Sequence, residues 1–193
     1  MSEQQYVVDT SVFVNPQART KFGKDPTLAV KGFIKFVKSN DLKVYMPPSI
    51  FGELKNFVKI ETIEELQIHI RIRSPSIYDI RLPAAVFYDF IEDVRERINK
   101  GLRLSEEYAK DNTPDNDEKL RRLREKYREA MRTGILDSKE DLELVLLAKE
   151  LDATLVSSDE GVVRFARQLG CSIVPADQFH EVLSLIKKPK KKS

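Results

Sequence analysis

The sequence predicts an α/β domain, a parallel sheet flanked by helices, interrupted by one long helical hairpin. Three observations carry this. Short β-branched runs alternate with segments of helical period at both ends of the chain, as in strand–helix–strand units whose strands pair in parallel. Between them lie two long stretches with apolar residues three or four apart and charges in between, the mark of amphipathic helices. Finally, 193 residues with 41% hydrophobic and 33% charged content suffice for one full core with a modest insertion and a heavily charged surface. The expected organisation is a domain built from residues 1–84 and 134–186, an inserted hairpin at 85–133, and a disordered basic tail at 187–193.

The elements follow in order. Tyr6-Val7-Val8 is a buried strand that ends at Asp9. From Pro26 to Val37, Leu28, Phe33, Ile34 and Val37 have helical spacing. Lys43 to Met46 is a second strand, stopped by Pro47-Pro48. Ser49 is placed to cap a helix carrying Ile50, Glu53, Leu54, Phe57 and Val58. Glu61 to Arg73 carries two patterns: its first half is helical, whereas Ile68, Ile70 and Ile72 alternate with polar residues as a strand would. After Leu82-Pro83, the positions Phe87, Ile91, Val94, Ile98 and Leu102 define a long helix, weakened near Gly101. Asp111 to Asp117 is a polar turn. A second helix follows through Leu120, Leu123, Tyr127 and Ala130 or Met131 and stops at Gly134, completing an antiparallel hairpin. Asp137 opens the next helix. Ala153 to Ser157 is a buried strand, Glu160 to Leu169 a helix ended by Gly170, and Cys171 to Val174 the last strand. A final helix begins near Asp177.

Composition removes several function classes. One cysteine, Cys171, allows no intrachain disulfide and no Cys-rich zinc site. Two histidines, His69 and His180, make an imidazole-built metal site unexpected. No apolar run approaches a membrane span of about 20 residues, and Met1 to Gln5 has no signal-peptide character. A cytoplasmic protein with no membrane partner is expected. Any bound metal must take oxygen ligands, which points to Mg²⁺ or Mn²⁺. The net charge of +2 conceals a division. Residues 187–193 hold five lysines, and without them the balance is 28 bases against 31 acids.

In open parallel sheets, sites form beyond the carboxyl ends of the strands. Asp9 and Asp159 each follow a strand, and Glu53 lies in the helix after the second strand. Asp137 and Asp141, four apart, share a helix face, with Glu143 close by. Each acid has a local reading as well. Asp137 with Glu140 resembles a capping box, and first-turn acids suit the helix dipole. Together, four or five carboxylates at one sheet edge would repel unless a cation lay among them. Such a centre suits phosphodiester hydrolysis, in which metal ions activate water and stabilise the leaving oxygen.

Val8-Asp9-Thr10-Ser11-Val12-Phe13, Glu53, Leu136 to Asp141 and Val156 to Gly161 together resemble the PIN-like metallonucleases. More specifically, Ile72-Arg73-Ser74-Pro75, Arg97 to Arg103, Arg124 to Ala130 and Gly134 to Asp141 resemble the minimal protein-only ribonuclease P family, the homologs of Aquifex RNase P. The likeness spans nearly the whole chain apart from the tail, and the hairpin strings are its most specific part. It implies a PIN-like fold with an inserted hairpin and an RNA-free ribonuclease P that removes the 5′ leader of precursor tRNA in a metal-dependent way. It implies that Asp9, Asp137, Asp141 and Asp159 form the catalytic and metal centre, with Glu143 a further ligand and Glu53 and Glu160 secondary. Phe165 and Ser158 depart from the family pattern, expected as Trp and Ala, without touching the chemistry.

Residues 119–132 hold seven bases against two acids, so this helix can follow phosphates by charge; the alternative is a solvated face with local ion pairs. The resemblance favours tRNA contact through Arg121, Arg122, Arg124, Lys126 and Arg128. The two apolar stripes of the hairpin cannot cover each other, and pairing with a second copy into a four-helix bundle would bury them. The resemblance implies dimers assembled into a dodecamer. Two other readings remain open at this point: another PIN nuclease, toxin-like and cutting mRNA or tRNA, or a non-catalytic RNA-binding or assembly protein.

Overall fold

A computed structural model describes residues 4–111, 115–132 and 138–185. The chain divides into two compact units, one of Met1–Arg81 with Ser138–Ser193 and one of Leu82–Asp137. In the first unit, five strands, β1 (Gln5–Val8), β2 (Lys43–Met46), β3 (Arg71–Ile72), β4 (Thr154–Ser157) and β5 (Ile173–Pro175), form one sheet in the order β3-β2-β1-β4-β5. Every pairing is parallel, with Val7 opposite Tyr45 on one side and Leu155 on the other. Tyr6, Val7, Val8, Leu155 and Val156 are buried. Strands covered on both faces read as continuous apolar runs, which is why these strands were visible in the sequence.

Helices α1 (Ser11–Val14), α2 (Pro16–Arg19), α3 (Pro26–Asn40), α4 (Pro48–Leu54) and α5 (Ile60–His69) connect the first three strands. Asp25 caps α3 by accepting from the Leu28 amide, and Pro26 fits the first turn, where an N–H is dispensable. The ring of Phe33 meets Phe13 and Phe179, and Phe179 meets Tyr6, so α1, α3 and the C-terminal helix share one aromatic cluster with β1. Gly32 lets α3 approach the preceding loop. A Cβ there would stand 2.2 Å from the Phe22 carbonyl oxygen, a backbone atom with nowhere to go. Gly32→Ala should therefore destabilise the fold by about 2 kcal/mol despite alanine's better helix propensity. In calorimetry this would appear as a melting temperature lower by roughly 4–8 °C, and an unchanged value would refute the close approach.

The glutamate-to-arginine stretch that carried two patterns contains both elements. α5 runs to His69 and β3 occupies Arg71–Ile72. Of the alternating stretch only Arg71 and Ile72 join the sheet, Ile70 is the C-cap of α5, and Ile68 stays on an exposed helical position. The expected cap of α4 is different. Pro47 holds the cap position without a side-chain bond, and the Ser49 hydroxyl is used elsewhere. α8 (Lys139–Leu151) is capped by Ser138, which accepts from the Asp141 amide; Asp137 and Gly134 lie outside the described residues, as does the lysine tail. α9 (Glu160–Gln168) follows β4, and α10 (Phe179–Leu185) begins two residues later than its predicted start.

The second unit holds α6 (Ala85–Lys110) and α7 (Asn116–Arg132), which pack against each other. Asp115 caps α7, accepting from the amides of Asp117 and Glu118. The helix is not broken at Gly101. Gly101 is buried, and a Cβ there would meet the Tyr127 ring at 2.7 Å, so the glycine permits close helix contact. Within this unit Phe87, Ile91, Ile98, Leu102, Leu120 and Tyr127 remain exposed. Among the described residues, no helix is long and apolar enough to cross a membrane.

Candidate active site

Strand order reverses between β1 and β4: the chain moves outward from β1 through β2 to β3, then returns to the other side of β1 for β4 and β5. Such a switch point opens a crevice at the carboxyl ends of the two central strands. Asp9 leaves β1 there, and its amide donates to the Val156 carbonyl at 3.0 Å. It is 8% exposed. A buried carboxylate needs hydrogen-bond donors, and two hydroxyls supply them. Ser157 Oγ donates to Asp9 Oδ2 at 2.7 Å, and Thr10 Oγ1 to Oδ1 at 3.3 Å.

Ser157 is fully buried and also accepts from the Asp159 amide at 3.1 Å. One hydroxyl thus joins Asp9 to the residue on which β4 turns into α9. Asp159 is the N-cap of α9, accepting from the Val162 amide at 2.9 Å, and remains exposed. Asp159 thus serves as a helix cap, and only one of its oxygens is needed for it. Ser11 Oγ accepts from the Ser158 amide at 3.1 Å, fastening the same turn to α1.

The α8 acids are held in the same manner. Ser138 Oγ donates to Asp141 Oδ2 at 2.7 Å, and Ser49 Oγ on α4 donates to Glu143 Oε2 at 2.7 Å. Ser49 and Glu53 are four apart and share a face of α4. Glu53 is exposed as a side chain, but its carboxyl end is partly desolvated. That desolvation raises its pKa, the charge of Asp9 raises it further, a hydrogen bond with the Thr10 hydroxyl, whose one proton lies between Asp9 and Glu53, offsets part of the rise, and Glu140 adds a smaller increase. Glu53 therefore senses the charges of both Asp9 and Glu140. Glu160 lies exposed in the first turn of α9.

The structure therefore links Asp9 with Asp159, and Glu53 with Asp9 and Glu140. It places Asp141 and Glu143 in the first turns of α8. The donor set is all oxygen, which suits a hard divalent cation by chemistry. Among the described residues, no three His, Cys, Asp or Glu side chains close on a single point. Sequence reasoning missed Glu140 as a neighbour of Glu53, and the hydroxyls of Ser49, Ser138 and Ser157. The one signal available was Ser157 itself, a polar residue ending an apolar strand two positions before an acid.

On α7, Arg121, Arg122, Arg124, Lys126 and Arg128 are all exposed. Arg122 pairs with Glu118, Arg121 with Glu125 at 3.7 Å, and Lys126 with Glu129 at 3.0 Å. Among the described residues, Arg124 and Arg128 have no acidic partner. Their spacing from Arg121 puts the three arginines along one side of the helix.

The family described as "PINc domain ribonuclease" matches residues 5–187. An RNA-free ribonuclease P of Pyrococcus abyssi is 44% identical over 194 residues, covering 97% of this chain and 95% of that protein. The RNA-free ribonuclease P of Pyrococcus horikoshii is 44% identical, covering 93% and 91%. That of Thermodesulfovibrio yellowstonii is 42% identical, covering 94% of each. Among solved structures, a PilT N-terminus domain protein of Sulfolobus solfataricus superposes with a TM-score of 0.44 at 14% identity, covering 98% of this chain and 99% of that one. Identity at this level across both units, with a family match over residues 5–187, leads to one assignment: the chain belongs to the RNA-free ribonuclease P family of PINc-domain ribonucleases.

Proposed function

We propose that this chain removes the 5′ leader of precursor tRNA as an endoribonuclease without an RNA subunit. The observation that carries the reading is the 44% identity to an RNA-free ribonuclease P across 97% of the chain. That span includes the hairpin, which a generic PIN nuclease or a toxin-like ribonuclease would not need. Divalent-metal dependence is general to this class of nuclease, and the oxygen-only donor set favours Mg²⁺, with Mn²⁺ as a substitute.

In this reading Asp9, Asp137, Asp141 and Asp159 hold the metal and form the catalytic group. Glu143 supports them, and Glu53 and Glu160 stand at the margin. A bound divalent ion would supply an activated water and neutralise charge on the leaving oxygen. The chain's own residues set the geometry. Asp9 is fixed at both oxygens by hydroxyls, and Asp159 keeps its position through the α9 cap. The products would be a tRNA with a 5′-phosphate and a leader with a 3′-hydroxyl. Residues 85–133 would serve both substrate contact and assembly. Arg121, Arg122, Arg124, Lys126 and Arg128 would meet phosphates by shape and charge rather than by sequence. The exposed stripe of Phe87, Ile91, Ile98 and Leu102 would be covered by a second copy's hairpin, and dimers would assemble into a dodecamer.

End-labelled precursor tRNA incubated with the protein and Mg²⁺ should be cut at the junction between leader and first tRNA nucleotide. Absence of a cut there, with cutting elsewhere, would favour a different PIN endoribonuclease. Light scattering on the full chain should give a mass of several copies, and a stable monomer would refute the paired hairpin.

A further inference from the structure

Three acids at the carboxyl edge of the sheet, Asp9, Glu143 and Asp159, share one feature that their catalytic reading does not use: each defined partner of a carboxyl oxygen is a neutral hydroxyl or an amide, whereas Glu140 has Lys139 Nζ at 3.9 Å. Asp9 is held by Ser157 and Thr10, Asp141 by Ser138, and Glu143 by Ser49. Among the described residues, no Lys or Arg pairs with Asp9, Glu53, Glu143 or Asp159. The contrast with the rest of the chain is plain, since Glu65, Glu150 and Glu181 each take a Lys or Arg. A cationic partner would orient a carboxylate but cancel its charge. A hydroxyl orients it and leaves the charge in place.

We propose that Ser49 and Ser157 are positioning residues that aim Glu143 and Asp9 and keep their negative charge available to a divalent cation. This rests on the metallonuclease reading above. Ser157 has no freedom in the arrangement. Its single proton goes to Asp9 Oδ2 and a lone pair takes the Asp159 amide, so one buried side chain sets the spacing of two acids from different strands. Removing the hydroxyl would leave a buried carboxylate oxygen without its donor and an amide without its acceptor. Ser49 performs the corresponding task between helices. Its bond to Glu143 spans 94 residues of chain, and it stands one turn from Glu53 on α4. On the same face of α4, Glu53 lies within the field of Glu140 in the first turn of α8.

The test uses the full-length protein and Mn²⁺ alone, without RNA, in isothermal titration calorimetry. Ser49→Ala and Ser157→Ala should each bind Mn²⁺ about tenfold more weakly, the usual loss when a group that orients a ligand is removed. Ser49→Thr and Ser157→Thr, which keep the hydroxyl, should stay within about threefold of the parent. Circular dichroism melts identify any variant that fails to fold. Ser49 is only half-buried, so its pair of variants decides the matter even if Ser157 cannot be changed. With precursor tRNA, the alanine variants should lose kcat and keep KM. A parent that binds no Mn²⁺, an alanine pair within about threefold of the parent, or a threonine variant as weak as its alanine counterpart would each overturn the proposal. If the parent binds Mn²⁺ and the alanine variants lose it, but no form cuts precursor tRNA, the substrate reading fails and the positioning role stands.

Discussion

Asp9→Asn should reduce the single-turnover rate of precursor-tRNA cleavage by roughly 10³–10⁴-fold, the scale seen when a member of a catalytic group is removed. The substitution is close to isosteric. Asparagine keeps a carbonyl oxygen to accept from Ser157, so the bond that crosses from β4 survives. The melting temperature should therefore stay near that of the parent, separating a catalytic loss from a folding loss. A second readout follows from the charge of Asp9. That charge is one of the causes holding the Glu53 pKa above the ordinary carboxylate range. Without it, Glu53 should titrate lower, and carbonyl NMR would follow the change. Activity within tenfold of the parent would remove Asp9 from the catalytic group. An unmoved Glu53 would deny that the two acids share one field.

The second large effect concerns the hairpin. Arg124→Ala with Arg128→Ala should weaken precursor-tRNA binding by about a hundredfold at low salt, near tenfold for each charged contact. The slope of log affinity against log salt should flatten by about one per arginine. Arg122→Ala with Lys126→Ala removes the same two charges from the same helix. Those two residues already bond to Glu118 and Glu129, and they lie away from the Arg121–Arg124–Arg128 side. Their loss should cost clearly less. Equal losses in the two double variants would mean that the helix acts by net charge alone, without a defined contact stripe. Helix content by circular dichroism should be unchanged in the first pair, because no ion pair among the described residues is broken.

The comparison between sequence and structure is sharpest at the serines. Asp9, Asp141 and Asp159 stood out in the sequence because each acid follows a strand or opens a helix. Those positions are fixed by local periodicity and by the geometry of parallel sheets. Ser49, Ser138 and Ser157 did not stand out as partners. Ser49 was read as a helix cap, the default for a serine after a proline pair. Its hydroxyl instead reaches a glutamate 94 residues away. No periodicity encodes such a pairing, since it depends on how α4 and α8 meet. Ser138 in turn takes the capping role that local pattern had given to Asp137. A one-residue change in cap position lies within the ordinary variation of helix ends.

The hairpin shows the same division. Its two helices were written in the three-and-four spacing of apolar residues, and the basic character of α7 was a matter of counting. Gly101 was read as a weak point because glycine lowers helix propensity. In the structure it is a contact point, since the missing Cβ leaves room for the Tyr127 ring. Propensity is a property of a residue alone, whereas close approach is a property of two helices.

What the sequence determined by itself was the α/β pattern, the inserted hairpin and the acids that end up at the strand tips. Each is written in short-range order: period two or 3.6, strand-ending residues, and charge along one helix. What only the tertiary structure decided was the reversal of strand order beside β1 and the hydroxyls of Ser49 and Ser157 that hold Glu143 and Asp9 in place. These depend on contacts between residues far apart in the chain, set by packing of whole elements, and no local window contains both partners.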